Sequence, residues 1–420
     1  MEPGPNGIEH APTGGPCRFC GAELVDTFVD LGMSPLCETF LTRDELLAPE
    51  TFYPLHVFVC RACFLVQLQE FVAPDDIFRE YAYFSSYSEA WLAHCRAYVD
   101  QMASSLDLGP DSLVVELASN DGYLLQYFVQ KGIPVLGVEP ALNVARVAEE
   151  RGVPTHTEFF GREEAARLAS RGVRADLVLG NNVLAQVPDI NDFVGGIPAI
   201  LAPGGTVTFE FPHLQRLVEQ RQFDTIYHEH FSYFSLVTIE RIFAAHGLRV
   251  FDVEELWTHG GSLRIHACHA DDERGATERL DALRDRELGL GMETVAYYRD
   301  FGRRVEELRR SILRFFVEAR ERGERVVGYG APGKGNTLLN YCGIRSDLLE
   351  FTVDRNPYKH GRFLPGTHIP VLAPEVLHDE KADYVFILPW NLRDEIAAQL
   401  APLRERGTRL VVPIPDIEIF

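Results

Sequence analysis

The sequence predicts an α/β chain of three parts, in which a small metal-stapled domain precedes two doubly wound units with parallel sheets. Three observations carry this. Two Cys-x-x-Cys pairs, Cys17/Cys20 and Cys60/Cys63, stand ahead of any α/β pattern. A β-branched apolar run, Leu113-Val-Val-Glu-Leu117, ends in the polar loop Ala118-Ser-Asn120-Asp121-Gly122; a helix-like segment follows, then a second apolar run that closes on Glu139. The same grammar returns near the C-terminus, where residues 325–329 run into the glycine-rich Gly330-Ala-Pro-Gly-Lys334-Gly-Asn336 and on to a strand ending in Asp354. Strand, tight turn, helix and parallel strand put each loop at the carboxyl edge of its sheet, where doubly wound folds bind ligands.

At 420 residues the chain has room for about three domains. Its apolar content of 46% with 24% charged residues describes a soluble globular protein with a sizeable core. A net charge of -22 argues against a nucleic-acid partner, which would need a surface rich in Lys and Arg. A phosphorylated small molecule needs only a local basic pocket. Lysine occurs only at 131, 334, 359 and 381, and two of these flank the second glycine-rich loop. No positively charged leader opens the chain and no apolar run reaches about 18 residues. The expectation is a cytoplasmic protein with no membrane partner, and the scattered remaining cysteines suit a reducing compartment.

Residues 1–75 form the first part. Paired thiols two residues apart offer both sulfurs to one tetrahedral ion, and two such knuckles complete a four-cysteine zinc site with no open position, hence a structural one. The 39 residues between Cys20 and Cys60, with Pro35, Pro49 and Pro54, must fold back as hairpins. Residues 76–270 form the second part, entered through Tyr81-Ala-Tyr83-Phe-Ser-Ser-Tyr87. These aromatics read equally as core or as hydroxyls facing a ligand.

The loop after the first central strand departs from a dinucleotide fingerprint. A G-x-G-x-x-G turn brings bare backbone against a pyrophosphate, whereas here Ala118, Asn120 and Asp121 crowd the turn and only Gly122 remains. Glu116 and Asp121 would repel a diphosphate. They suit a cationic nucleoside such as S-adenosylmethionine, and Glu139, roughly 20 residues on, can hold the ribose hydroxyls. The strand at 175–179 brings Asn181 and Asn182 to the same edge.

Further along, Tyr227-His228-Glu229-His230 offers imidazole and carboxylate for proton transfer near neutral pH. On an extended segment His228 and His230 share a face. A metal site is a minor reading, since no further ligands are obvious nearby. His259-Gly-Gly-Ser-Leu-Arg264 puts Arg264 within reach of a phosphate or a cofactor carboxylate, or is a plain hairpin turn.

Residues 271–322 form a charged helical connector with an apolar stripe at Val305, Leu308, Ile312, Phe315 and Phe316. Residues 323–420 form the last unit. Asp354 could hold a ribose as in an NAD site, yet Lys334, Arg355 and Lys359 make its mouth basic, which suits a nucleoside diphosphate belonging to a substrate. A purely structural remnant of an older cofactor site is the other possibility.

In this order, the four cysteines, Glu116-Leu-Ala-Ser-Asn-Asp-Gly122, Tyr-His-Glu-His, His-Gly-Gly-Ser-Leu-Arg and Gly-Tyr-Gly-Ala-x-x-Lys-Gly-Asn-Thr resemble the S-adenosylmethionine-dependent C-methyltransferases of deoxysugar biosynthesis, which branch C-3 of dTDP-4-keto-sugars. The resemblance spans nearly the whole chain and is strongest to the C-3' methyltransferases of tetronitrose formation, in antibiotic pathways. It implies a central class I methyltransferase (Rossmann-like) domain and a Rossmann-like terminal domain. It implies His230 as the base that makes an enolate, with Tyr227 and Glu229 positioning it or the sugar and Tyr81 steadying the enolate oxygen. Tyr87 would join Glu116, Ala118, Asn120, Asp121, Gly122, Glu139, Asn181 and Asn182 around the cofactor. Tyr83, His228, Arg264, Lys334, Asn336, Asp354, Arg355 and Lys359 would face a dTDP-sugar, in a monomer. O- or N-methylation, an NAD-dependent reductase or epimerase, and a zinc scaffold without catalysis are the competing readings.

Overall fold

The computed structural model describes residues 14–72, 86 and 89–420, and these contain three sheets. In the first, β1 (Asp26–Ser34) and β2 (Tyr53–Val59) pair antiparallel, and β3 (Val66–Leu68) follows β2 through the second cysteine knuckle. The long gap between knuckles is thus taken up by a hairpin. Gly21 and Phe64 take left-handed backbone (φ 74° and 62°), which turns each knuckle back on itself.

The central sheet holds β4 (Val114–Leu117), β5 (Val135–Val138), β6 (Thr155–His156), β7 (Ala175–Asn181) and β8 (Leu201–Pro212), all parallel. Covered on both faces by helices, β4 is buried throughout, as its unbroken apolar run requires. The chain then makes a short excursion: β9 (Ser232–Tyr233) pairs with β3 of the first sheet. It returns as the antiparallel hairpin β10 (Leu248–Leu256) and β11 (Ser262–His269) against β8. The order is β6-β5-β4-β7-β8-β11-β10. The direction of winding reverses between β4 and β7, so residues 118–122 and 181–182 flank the crevice at the switch point.

Three helices follow, Glu278–Gly289, Val295–Arg299 and Phe301–Glu321. The last buries Val305, Leu308, Ile312, Phe315 and Phe316. Phe301 stacks on Phe28 of β1 with centroids 4.4 Å apart, while Phe315 meets Tyr384 at 5.1 Å. Its apolar stripe therefore joins the first and third sheets in one core. Burying five such side chains is worth on the order of 10 kcal/mol before entropy is counted.

The third sheet holds β12 (Val326–Tyr329), β13 (Thr352–Val353), β14 (Val371–Leu372), β15 (Tyr384–Ile387), β16 (Arg409–Val412) and the antiparallel edge β17 (Glu418–Ile419). Its order β14-β13-β12-β15-β16-β17 puts a second switch point between β12 and β15, where residues 330–336 meet Trp390 and Asn391. No helix among the described residues is long and apolar enough to cross a membrane.

Candidate functional site

At the first crevice the backbone is left-handed at Ala118 (φ 59°), Asn120 (φ 48°) and Gly122 (φ 72°), the first two at the positions where a G-x-G-x-x-G turn would place glycines. The side chains do not prevent the turn, and holding two non-glycine residues there costs about 1 kcal/mol or more each, strain of the kind that collects at ligand sites. Gly122 has a packing reason as well, since a Cβ there would lie 3.0 Å from Val153 and 3.2 Å from Ala148. Glu139 accepts the Asn120 N–H on one oxygen and the Ala141 N–H on the other, both at 2.9 Å. Its orientation is fixed while each oxygen keeps a lone pair for a ribose hydroxyl.

Glu116 is fully buried beside the Tyr123 hydroxyl, and burial, with Glu139 and Asp121 nearby, holds its carboxyl well above the usual range. An incoming cation would favour its ionised form. Asn181 Nδ2, Asn182 Oδ1 and Asp121 Oδ1 are buried at this edge without a hydrogen-bond partner among the described residues. These groups fit S-adenosylmethionine. One expectation changes: Asp121 is ion-paired with Arg151 at 3.0 Å and accepts from Ser86 at 2.5 Å, so its charge is already compensated. Asp121 therefore carries no free charge to turn against a phosphate.

The sulfurs of Cys17, Cys20, Cys60 and Cys63 lie within 4.8 Å of one another, and all but Cys20 are buried. Four thiolates around one point suit a structural zinc ion. The Gln67 amide donates to Cys17 Sγ at 3.1 Å, a support that orients the ligand.

The loop at residues 227–230 is held by all three parts of the chain. Residues 227–230 make a turn closed by the His230 N–H on the Tyr227 carbonyl at 2.9 Å. Phe231 is held on both sides, donating to the Ala185 carbonyl (2.7 Å) and accepting from the Leu68 N–H (3.0 Å). His230 Nδ1 donates to the Thr225 carbonyl at 3.0 Å, which leaves Nε2 with the lone pair. Burial pushes the His230 pKa down to about 4, and the Tyr227 ring packs against the imidazole at 4.0 Å. The result is a neutral, oriented imidazole at pH 7. Glu229 Oε1 lies 3.9 Å from Cys37 Sγ.

Because the segment turns, His228 and His230 do not share a face. His228 is buried, donates to the Pro54 carbonyl at 3.2 Å and meets Tyr53 edge-on, so it ties the loop to β2. Arg264 is buried on β11 against Glu210 (2.7 Å) and Glu254 (3.5 Å), so its charge is already paired within the protein. Asn336 is buried and gives its amide to the Cys37 carbonyl, a tie between domains. Tyr81, Tyr83 and Tyr87 lie outside the described residues.

At the second crevice, Asp354 repeats the arrangement of Glu139, accepting the Ala331 N–H at 2.7 Å and the Asn356 N–H at 2.8 Å. The three cations there face different partners. Lys359 donates to the Ala331 carbonyl at 2.8 Å and lies 3.5 Å from Glu38, while Arg355 is exposed near Glu395. Lys334 donates to Asn391 and sits 4.4 Å from the centre of the Trp390 ring. Burial lowers its pKa to about 8, opposed by Asp224. Trp390 donates in turn to Asp224 at 2.6 Å. Sequence reasoning gave Asp224, Trp390 and Gln67 no role, because each acts only on a partner distant in the chain.

A family model described as a zinc binding domain matches residues 17–78, one described as a methyltransferase domain matches 89–253, and one described as the C-methyltransferase C-terminal domain matches 257–415. C-methyltransferase NovU of Streptomyces niveus is 38% identical over 404 residues, 96% of each chain. The ubiquinone biosynthesis O-methyltransferase of Bradyrhizobium sp. (strain ORS 278) is 27% identical over 27% of this chain and 44% of its own. The crystal structure of magnesium protoporphyrin IX methyltransferase from Synechocystis PCC 6803, with SAH bound, is 16% identical with a TM-score of 0.33, over 42% of this chain and 82% of that one. With identity sustained along nearly the full length of NovU and three family models following one another along the chain, the chain belongs to the S-adenosylmethionine-dependent C-methyltransferases.

Proposed function

We propose that this enzyme methylates C-3' of a dTDP-4-keto-deoxysugar after removing the hydrogen on that carbon. The observation that supports this most is His230, with Nδ1–H committed to the Thr225 carbonyl and the ring held neutral by burial. A hydrogen beside a ketone is acidic enough for a positioned imidazole to remove, and Nε2 is the atom left to take it. The Thr225 carbonyl then steadies the imidazolium that forms, and the Tyr227 ring limits its rotation. Glu116, Glu139, Asn181 and Asn182 would hold S-adenosylmethionine, which would supply the electrophilic methyl group. Lys334 and Lys359, at the carboxyl edge of the third sheet, stand on the side from which the nucleotide would approach. The resemblance adds Tyr81 as a donor to the enolate oxygen.

The His230→Ala variant is expected to lose methyl transfer and to stop exchanging the C-3 hydrogen with heavy water. Undiminished exchange in that variant would move the base elsewhere, with Tyr227 the nearest alternative. A product whose new methyl sits on oxygen or nitrogen by NMR would refute the C-methylated sugar.

A further inference from the structure

The turn between β10 and β11 belongs to a sequence motif that the reaction above leaves without a role. His259 stands there at φ 54°, ψ 18°, followed by Gly260 at φ 88° and Gly261 at φ 122°. Two glycines accept left-handed backbone freely; a histidine does so at a cost of about 1 kcal/mol. The surroundings impose this conformation from several sides. Thr258 Oγ1 donates to Glu210 Oε1 at 2.7 Å, and the same carboxylate is held by Arg264 and His94 at 2.7 and 2.9 Å. The Gln222 amide donates to the Gly260 carbonyl at 2.7 Å. A Cβ on Gly260 would stand 2.5 Å from the Trp390 indole, so the third sheet presses directly on this backbone.

So rigid a mounting serves a side chain that is itself not spent. The His259 imidazole remains accessible, meets Trp91 edge-on at 5.4 Å and makes no hydrogen bond among the described residues. The turn is tied to the His230 loop: Gln222, which donates to the Gly260 carbonyl, accepts on its own carbonyl from the Thr225 hydroxyl, and the Thr225 carbonyl holds His230 Nδ1. Trp390 connects both, touching the Gly260 backbone and donating to Asp224, the neighbour of the Thr225 carbonyl that holds His230.

We propose that His259 is a further catalytic residue, the N–H donor to the substrate's ketone oxygen while His230 takes the adjacent proton. This rests on the enolate reading given above. The electrons balance without any co-reactant: the C–H pair becomes the carbon–carbon π bond, the carbonyl π pair moves to oxygen, the proton goes to His230 Nε2, and His259 keeps its own proton while donating. A neutral donor is the useful kind. An imidazolium would hand its proton to the enolate oxygen and leave a neutral enol, a poorer carbon nucleophile. Desolvation by the protein around this accessible ring, opposed by Glu210 and helped by Lys334 and His94, keeps His259 neutral, its pKa pushed down to about 4.

The experiment is hydrogen–deuterium exchange at C-3 of a dTDP-4-keto-sugar in heavy water with S-adenosylhomocysteine bound, comparing wild type, His259→Gly and His259→Asn. Glycine removes the ring where the backbone favours glycine, and asparagine keeps an N–H donor in a residue that tolerates left-handed backbone. Losing one oxyanion donor is expected to slow exchange about 100-fold in His259→Gly, with at least tenfold of that recovered in His259→Asn and S-adenosylhomocysteine affinity unchanged within twofold. Exchange by His259→Gly within threefold of wild type overturns the proposal, as does a parallel loss of S-adenosylhomocysteine binding, which would make the residue structural. Absence of exchange in the wild-type enzyme would instead overturn the enolate reading itself.

Discussion

Removing the zinc should loosen the loop that carries the proposed base, His230, while sparing the cofactor crevice. The strand β3 begins at Val66, three residues past Cys63, and its partner β9 begins at Ser232, two residues past His230. Four contacts carry the tie: the register pairs Val66 with Tyr233 and Gln67 with Ser232, the Leu68 N–H on the Phe231 carbonyl, and His228 on the Pro54 carbonyl. At about 1 kcal/mol net each they hold the loop with about 4 kcal/mol. A module of this size depends on its metal to fold, so Cys63→Ser should release all four. The ties to Ala185 and from Thr337 to the Ile226 carbonyl persist, which limits the expected loss of methyl transfer to about 100-fold. The assay pairs kcat with metal content by mass spectrometry and S-adenosylhomocysteine affinity by calorimetry. A zinc-free protein turning over within threefold of wild type, or one losing kcat and cofactor affinity in equal proportion, would refute the coupling.

Other outcomes follow from particular groups. Gly122→Ala puts a Cβ at positive φ and 3.0 Å from Val153, so S-adenosylhomocysteine affinity measured by calorimetry should fall about tenfold, the combined result of backbone strain and overpacking. With the His230 pKa near 4, the acid limb of kcat/KM belonging to this group should appear near pH 4 and not near 6.5. The same depression acts on stability: between pH 6.5 and 4 the unfolded chain binds a proton that the folded imidazole refuses, so thermal stability should fall as pH drops through that window and be level in this respect above it. Arg264→Leu strips the cation from buried Glu210, and should lower the melting temperature by the equivalent of about 3–5 kcal/mol while leaving KM for the sugar nucleotide unchanged in protein that remains folded.

Much of the fold was readable from local pattern. The helix Arg162–Ser170 is bounded as the periodicity implies, β8 runs from Leu201 to Pro212 as the turn and strand suggest, and the alternation of apolar runs with polar loops locates both switch points. What local pattern misses is exchange between parts. Nothing in Ser232-Tyr233 announces a strand bound to another sheet, and that pairing is what bends residues 227–230 into a turn and separates the two histidines. Arg264, Asn336 and His228 are polar residues in suggestive motifs whose partners, Glu210, Cys37 and Pro54, lie 54, 299 and 174 positions away. Residue type foretold that they would bond, not with what.

The terminal unit grips its neighbours through Asn336 on the Cys37 carbonyl, Thr337 on the Ile226 carbonyl and Trp390 on Asp224. It is a buttress for the catalytic machinery as much as a wall of the cleft. Anyone grafting this unit from a relative to change substrate selectivity should transplant positions 37, 224 and 226 with it, because a chimera mismatched at those seams would trade turnover for its new selectivity.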